Sequence, residues 1–454
     1  MTVLFAERAL LPTGWSRNQR VTLGTDGHIE RVESAAAPEP GDDVLAGRIL
    51  LPAPANLHSH AFQRAMAGMT EARGSGGQDS FWTWRTLMYR FLEALTPEDV
   101  QSIAAMVQVE MAEAGYAAVG EFHYLHNPPG GGTYDDPGEI ARRIAVAADE
   151  TGLGLTLLPV LYVQGGCDGR ALVGGQLRFS CNPEAYLRIA DSARPDLADD
   201  TRIGIAPHSL RAVPPEILGE AASLSPNGPI HIHAAEQTAE IAEVEAAYGA
   251  RPVAFLLERT DLGPDWCVIH ATHMTPEETE GLARSGAVAG LCPITESNLG
   301  DGIFDGPRFL GTGGNFGVGS DSNIRISLSE ELRTLEYSQR LGLRARAVMA
   351  GAGSTGRTLF EGAVRGGAQA CGRDAGEIAP GKLADLMTLD ADHISLSGLD
   401  GDMALDGWIF AGDDGAVRDC WSAGRRLVRE GRHYAREAVE ARFRDTLTRL
   451  RDRA

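Results

Sequence analysis

The chain has 454 residues, with 41 lysines and arginines against 62 aspartates and glutamates, for a formal net charge of −21. Hydrophobic residues make up 43% and charged residues 23%, a composition that excludes collagen, coiled coil and bulk disorder. The acidic excess repels phosphate backbones and excludes nucleic acid as a partner. No apolar run approaches the roughly 20 residues of a membrane span, so no membrane partner is expected. The opening MTVLFAERALLP has no basic stretch and is not expected to be a secretory signal. Six scattered cysteines, with no CxxC, fit the reduced thiols of a cytoplasmic protein.

In chain order, residues 1–49 predict short strands with tight turns; Val21 to Val32 holds an Asp-Gly hairpin signal between two alternating runs. Short apolar runs then recur at 50–57, 117–122, 155–163, 202–206, 229–232, 267–269, 287–292 and 315–319, each followed by a helical stretch. Eight strands alternating with helices predict a closed (β/α)8 barrel of the TIM type over 50–376. Residues 377–435 return to strands and glycine turns. Together with 1–49 they are expected to form a small β-sandwich domain. A charged amphipathic helix, with Phe443, Leu447 and Leu450 on one side, is predicted over 436–454. The stretches 72–80, 128–137 and 164–183 are candidate active-site loops.

The residues at the ends of these runs carry the chemistry. The runs end in His58-Ser-His60, Glu121-Phe-His-Tyr124, Pro207-His-Ser-Leu-Arg211, His231-Ile-His-Ala-Ala-Glu236, His270-Ala-Thr-His273, Pro293-Ile-Thr-Glu-Ser-Asn298 and Ser320-Asp-Ser-Asn323. In a barrel these ends share one rim, the face where catalysis sits. Residues two apart on a strand point the same way. His58 and His60 can therefore bind one ion, although a single pair of this kind is as often structural. The second pair, His231 and His233, raises the odds. His233 lies nearer the strand end and is taken as the ligand, with His231 as a core histidine hydrogen-bonded below it. Asp321 adds a carboxylate. Three histidines and one aspartate leave a position for water, as in a catalytic zinc or iron site. The single lysine, Lys382, lies outside the barrel runs, so no lysine can bridge two metals there.

The ordered set His58, His60, His233, His270 and Asp321 resembles the amidohydrolase superfamily, over about residues 50 to 390. The resemblance implies one divalent ion per chain, most readily zinc with ferrous iron the alternative, held by His58, His60, His233 and Asp321. It also implies that His270 stays free for catalysis, that Glu236 shuttles protons and that Asp321 takes part in the chemistry. Gly381-Lys-Leu-Ala-Asp-Leu386 resembles the strand that closes the superfamily's small domain. The segments from Asn56 to Gly68, Phe81-Trp-Thr-Trp-Arg85, Gly120-Glu-Phe-His-Tyr124 and Pro207 to Val213 resemble the N-formimino-L-glutamate deiminases of histidine degradation.

Such a substrate carries two carboxylates, which call for arginine forks. Arg85 and Arg211 are the candidates, although alone either would read as a surface salt bridge. Tyr124 and His208 can add hydrogen bonds to a carboxylate, and Gln63 can contact the formimino group. Phe81, Trp82 and Trp84 fit helix packing better than a substrate stack. The alternatives are a deaminase of a guanine-like or guanidino substrate and a non-catalytic barrel relative. The resemblance further implies a small-molecule substrate and a homodimer.

Overall fold

The computed structural model describes residues 2–71 and 81–451, with the backbone alone for 81–86. The barrel strands are Ala55–Ser59, Ala118–His123, Gly154–Leu161, the two short pieces Arg202–Ile203 and Ala206–Pro207, Ile230–Ala234, Trp266–His270, Val288–Leu291 and Asn315–Val318. Parallel ladders join them into two arcs. An Ile205–Ile230 bridge joins the arcs on one side and a Ser59–Asp321 bridge on the other, so the sheet closes on itself. Strands one, two, three, five and six are buried along their whole length, as strands covered on both faces must be.

Two of the expected runs are interrupted. The run 50–57 is two strands. Arg48–Pro52 pairs parallel with Thr2–Leu11 and antiparallel with Leu386–Asp390, while Ala55–Ser59 opens the barrel. Pro52 and Pro54 lack the N–H that a continuous ladder needs. Residues 50–52 therefore belong to the small domain's sheet, not to the barrel. The run 202–206 breaks at Gly204, where a Cβ would lie 2.3 Å from the Pro229 carbonyl oxygen; the backbone is pressed against the chain entering the next strand.

The small domain is built on one hydrogen-bonded sheet of nine strands from both ends of the chain. Arg48–Pro52 lies between Thr2–Leu11 and Leu386–Asp390 and so joins the two contributions. Leu4, Val21, Leu50, Leu386 and Trp421 form its own core. Within 377–435, where the sequence reads only strands and turns, the structure also has a helix, Asp402–Ala411. The fully buried Trp408 anchors it, and Arg333 donates to its terminal carbonyls, Ile409 at 2.7 Å and Gly412 at 2.7 Å. The last helix, Arg436–Arg451, buries Val439, Phe443 and Leu450 with Leu447 partly covered. It packs on helix Pro97–Glu113, with Arg436 ion-paired to Glu113 at 2.7 Å.

Strand eight closes on strand one through a buried polar ring. The Asn56 side-chain amide donates to the Ser320 hydroxyl (2.7 Å), and its carbonyl accepts from the Ser320 N–H (3.1 Å). Ser320 in turn donates to the Asn323 side-chain carbonyl (2.6 Å), and the Asn323 amide donates to the Ser59 hydroxyl (3.1 Å). At Gly319 a Cβ would sit 2.7 Å from the His58 backbone, so only glycine allows this approach. Asn323→Ala removes the central link and leaves buried hydroxyls short of a partner. Such a loss costs about 1–3 kcal/mol. A fall in the thermal unfolding midpoint is expected, and an unchanged midpoint would count against the ring as the closing device.

Candidate active site

The seam brings two candidate ligand groups together. The His60 N–H donates to the Asp321 carbonyl and the Asp321 N–H to the His58 carbonyl, each at 2.9 Å. His58 and His60 point to one face, as their spacing predicts. Their Nε2 atoms lie 3.4 and 3.2 Å from Asp321 Oδ1. From across the barrel, His233 brings its Nε2 to 3.1 Å from His58 Nε2. The donor atoms of His58, His60, His233 and Asp321 all lie within 4.8 Å of one another, and all four residues are buried. His231, two residues earlier, sits deeper and bonds the Ala370 carbonyl at 2.7 Å.

The chemistry of this donor set fits a cation. His60 Nδ1 donates to the Phe122 carbonyl (3.0 Å) and His233 Nδ1 to the His208 carbonyl (3.1 Å), which leaves a lone pair on each Nε2. Burial, and then the neighbouring histidines, hold His58 and His233 well below the usual imidazole range; burial also lowers His60. Neutral imidazoles are the form that binds metal. Converging lone pairs at this separation repel unless a positive charge lies among them.

His270 is placed differently. Its Nδ1 lies 3.2 Å from Glu296 Oε1 and its Nε2 3.9 Å from Glu236 Oε1. Burial opposes its charge, but Glu236 and Glu296 outweigh that and push His270 up to about 10; a cation on the neighbouring nitrogens would work the other way. Burial raises Glu236 above the ordinary carboxylate range. It also lifts Glu121 to about 7 and Asp301 to about 8. The backbone is strained at the same rim: Ala235, His270, Ala271, Asp321 and Asn323 all have positive φ. Such strain in non-glycine residues gathers at functional sites. Sequence reasoning gave Glu296 and Glu121 no role. Their only signal was a place just after, or in, a barrel strand.

The cluster opens into a cavity lined also by Gln63, Tyr124, His208 and Arg211. Gln63 donates to the Tyr124 hydroxyl at 2.7 Å, so these two act as a pair. Among the described residues, Arg211 Nε is buried with no hydrogen-bond partner. Burial works against its charge, but Glu240 and Glu236 nearby outweigh it and raise the guanidinium pKa. The side chains of Phe81, Trp82, Trp84 and Arg85, and the loop 72–80, lie outside the described residues. Lys382 pairs with Asp374 at 2.7 Å, away from this cavity.

Comparisons agree with this geometry. The amidohydrolase family matches residues 49–427, and the formimidoylglutamate deiminase HutF N-terminal domain matches residues 1–45. The formimidoylglutamate deiminase of Pseudomonas aeruginosa is 46% identical over 456 residues, covering 100% of both chains. The crystal structure of an amidohydrolase from Brucella melitensis, also 46% identical, superposes with a TM-score of 0.94 over 99% of this chain and 100% of that one. An adenosine deaminase from Xanthomonas campestris, solved with bound zinc, shares the fold at 20% identity with a TM-score of 0.83, over 99% of this chain and 98% of its own. A catalytic barrel with this donor set, matched along its whole length, belongs to the amidohydrolase family and within it to the formimidoylglutamate deiminases.

Proposed function

We propose that the chain hydrolyses N-formimino-L-glutamate to N-formyl-L-glutamate and ammonia, a step of histidine degradation. As a family member it is a hydrolase acting on a C–N bond of a linear amidine. The observation that carries the reading is the meeting, in one cavity, of the His58–His60–His233–Asp321 donors with His270, Glu236 and Arg211. A purine has no carboxylate for Arg211, and a non-catalytic relative has no need of a complete donor set.

Those four residues would hold one divalent ion, zinc or else ferrous iron, which would lower the pKa of a bound water toward about 7. Asp321 accepts the proton of the attacking water. His270 orients that water and stabilises the charge that develops on the oxygen of the tetrahedral intermediate. Glu236 carries the proton to the terminal nitrogen, so the C–N bond to ammonia breaks as the new C–O bond is kept. Arg211, with Arg85, holds the two carboxylates, Tyr124 and His208 assist, and Gln63 faces the formimino group. The six free cysteines support a reducing, cytoplasmic setting. Among the described residues no helix is long and apolar enough to cross a membrane. A homodimer is proposed on the resemblance alone.

Three measurements test these roles. Elemental analysis should find one ion per chain, and His60→Ala should lose it; two tightly bound ions would overturn the single-ion reading. Glu236→Gln should keep the ion and lose kcat by at least the ~10²-fold typical of general acid–base groups. Near-normal turnover with full metal content would refute the shuttle. Arg211→Met should keep the ion and raise KM about 10- to 150-fold, the scale of one lost charge-assisted hydrogen bond. A formamidine without carboxylates should be a poor substrate and indifferent to the mutation. If it is turned over as well as N-formimino-L-glutamate, the substrate assignment falls while the metal-hydrolase assignment stands.

A further inference from the structure

Arg178 is a fully buried arginine with no carboxylate within ion-pair distance among the described residues. It lies beyond the third barrel strand, in the short helical segment Gly174–Phe179. All its donors go to neutral oxygens on the two neighbouring loops. Its Nε donates to the Asn127 carbonyl (2.9 Å), beyond the second strand. Its Nη1 donates to the carbonyls of Leu92 and of Leu95 (3.3 Å to the latter), where helix Phe81–Leu92 ends. Its Nη2 reaches the Tyr134 hydroxyl at 3.4 Å. The Arg178 carbonyl accepts from the N–H groups of His126 and Asn127, both at 2.9 Å. One residue thus ties together the loops after strands one, two and three. Its charge also sits at the helix end where the backbone dipole is negative.

Those loops form one wall of the cavity. The ring of Phe179, next to Arg178, packs against Tyr124 (4.7 Å between centroids), Tyr162 (5.5 Å) and Tyr89 (6.0 Å). All four line the cavity, as does Met88 from the tied helix. The metal-ligand side of the site comes from strands one, five and eight, and none of its ligands contacts Arg178 through a hydrogen bond.

We propose that Arg178 is a positioning residue for substrate: it fixes the helix Phe81–Leu92, which carries Arg85 in its first turns, and the aromatic wall relative to the metal-ligand side. It sets where the glutamate half of the substrate sits and leaves the reacting centre alone. Burying a guanidinium is costly unless each N–H finds an oxygen. The carbonyls of Leu92, Leu95 and Asn127 and the Tyr134 hydroxyl, from two separate loops, can supply those oxygens only when both loops are in register with the one that carries Arg178, so the charge enforces one arrangement.

The inference rests on the deiminase reading, and the test separates the two. In the full-length, metal-loaded enzyme, Arg178→Met should raise KM for N-formimino-L-glutamate by about 10- to 100-fold, the scale of an ångström-sized misplacement. Metal content should stay the same, and kcat should change by less than about threefold. Arg178→Lys, which keeps the charge and some donors, should give a smaller rise. An unchanged KM in Arg178→Met overturns the proposal. So does a fall in kcat at constant KM, or failure of both variants to fold or hold metal, which would make Arg178 a support of the whole barrel. If the unmodified enzyme itself does not release ammonia from N-formimino-L-glutamate, the deiminase reading has failed instead.

Discussion

The active site depends first on how strand eight meets strand one. A barrel of eight strands must close, and here the closing contacts are few: a Ser59–Asp321 bridge, two backbone hydrogen bonds of 2.9 Å and the Asn56–Ser320–Asn323–Ser59 side-chain ring. The same backbone bonds that close the sheet put His58 and His60 against Asp321. Fold closure and assembly of the ligand set are thus one event. This explains why residues so polar are tolerated at a fully buried seam. Each polar atom of the ring has a partner, and the alternative of leaving them unpaired is costly in a low-dielectric interior. It also explains the left-handed backbone at Asp321 and Asn323, which turns the chain sharply enough to return one side chain to the metal side and the next to the seam.

Around that seam the molecule gathers opposing tendencies. Burial drives the histidines neutral and the carboxylates of Glu121, Glu236 and Asp301 toward protonation. His270 stands against this trend because it lies between Glu236 and Glu296. The result is a site where neutral nitrogens converge beside carboxylates that burial pushes toward protonation. That separation of roles comes from position. His60 and His233 each have their Nδ1 committed to a backbone carbonyl, whereas His270 has its Nδ1 committed to a carboxylate. A carbonyl fixes the tautomer; a carboxylate also favours the charged ring.

Much of this was legible in the sequence, because strand periodicity turns spacing into direction. His58 and His60, or His231 and His233, must share a face, and the strand ends must share a rim. The features that were not legible have a common cause. Pro52 and Pro54 interrupt an apolar run that otherwise reads as one strand, and Gly204 divides another because of the chain that faces it across the sheet. Helix Asp402–Ala411 is flanked by glycines and short, and its anchor Trp408 is recognisable only once the surrounding core exists. Glu296 is a glutamate in a short helix until His270 is placed beside it. The two prolines are a local signal; the others are tertiary facts with no local signature.

Arg178 is the extreme case of the same limit. An arginine whose partners are carboxylates leaves a trace in charge pairing, but one whose partners are backbone carbonyls leaves none, since every residue has a carbonyl. Its burial with no carboxylate within ion-pair distance among the described residues is informative for that reason. The desolvation of the guanidinium is offset by oxygens that the two neighbouring loops present together to the third. Loops after barrel strands vary freely in most respects, because the barrel beneath them holds the fold. A buried charge shared among three such loops removes that freedom at one point. The candidate metal-ligand half of this site is therefore fixed by the closure of the sheet, and on our proposal the facing half by a guanidinium outside it.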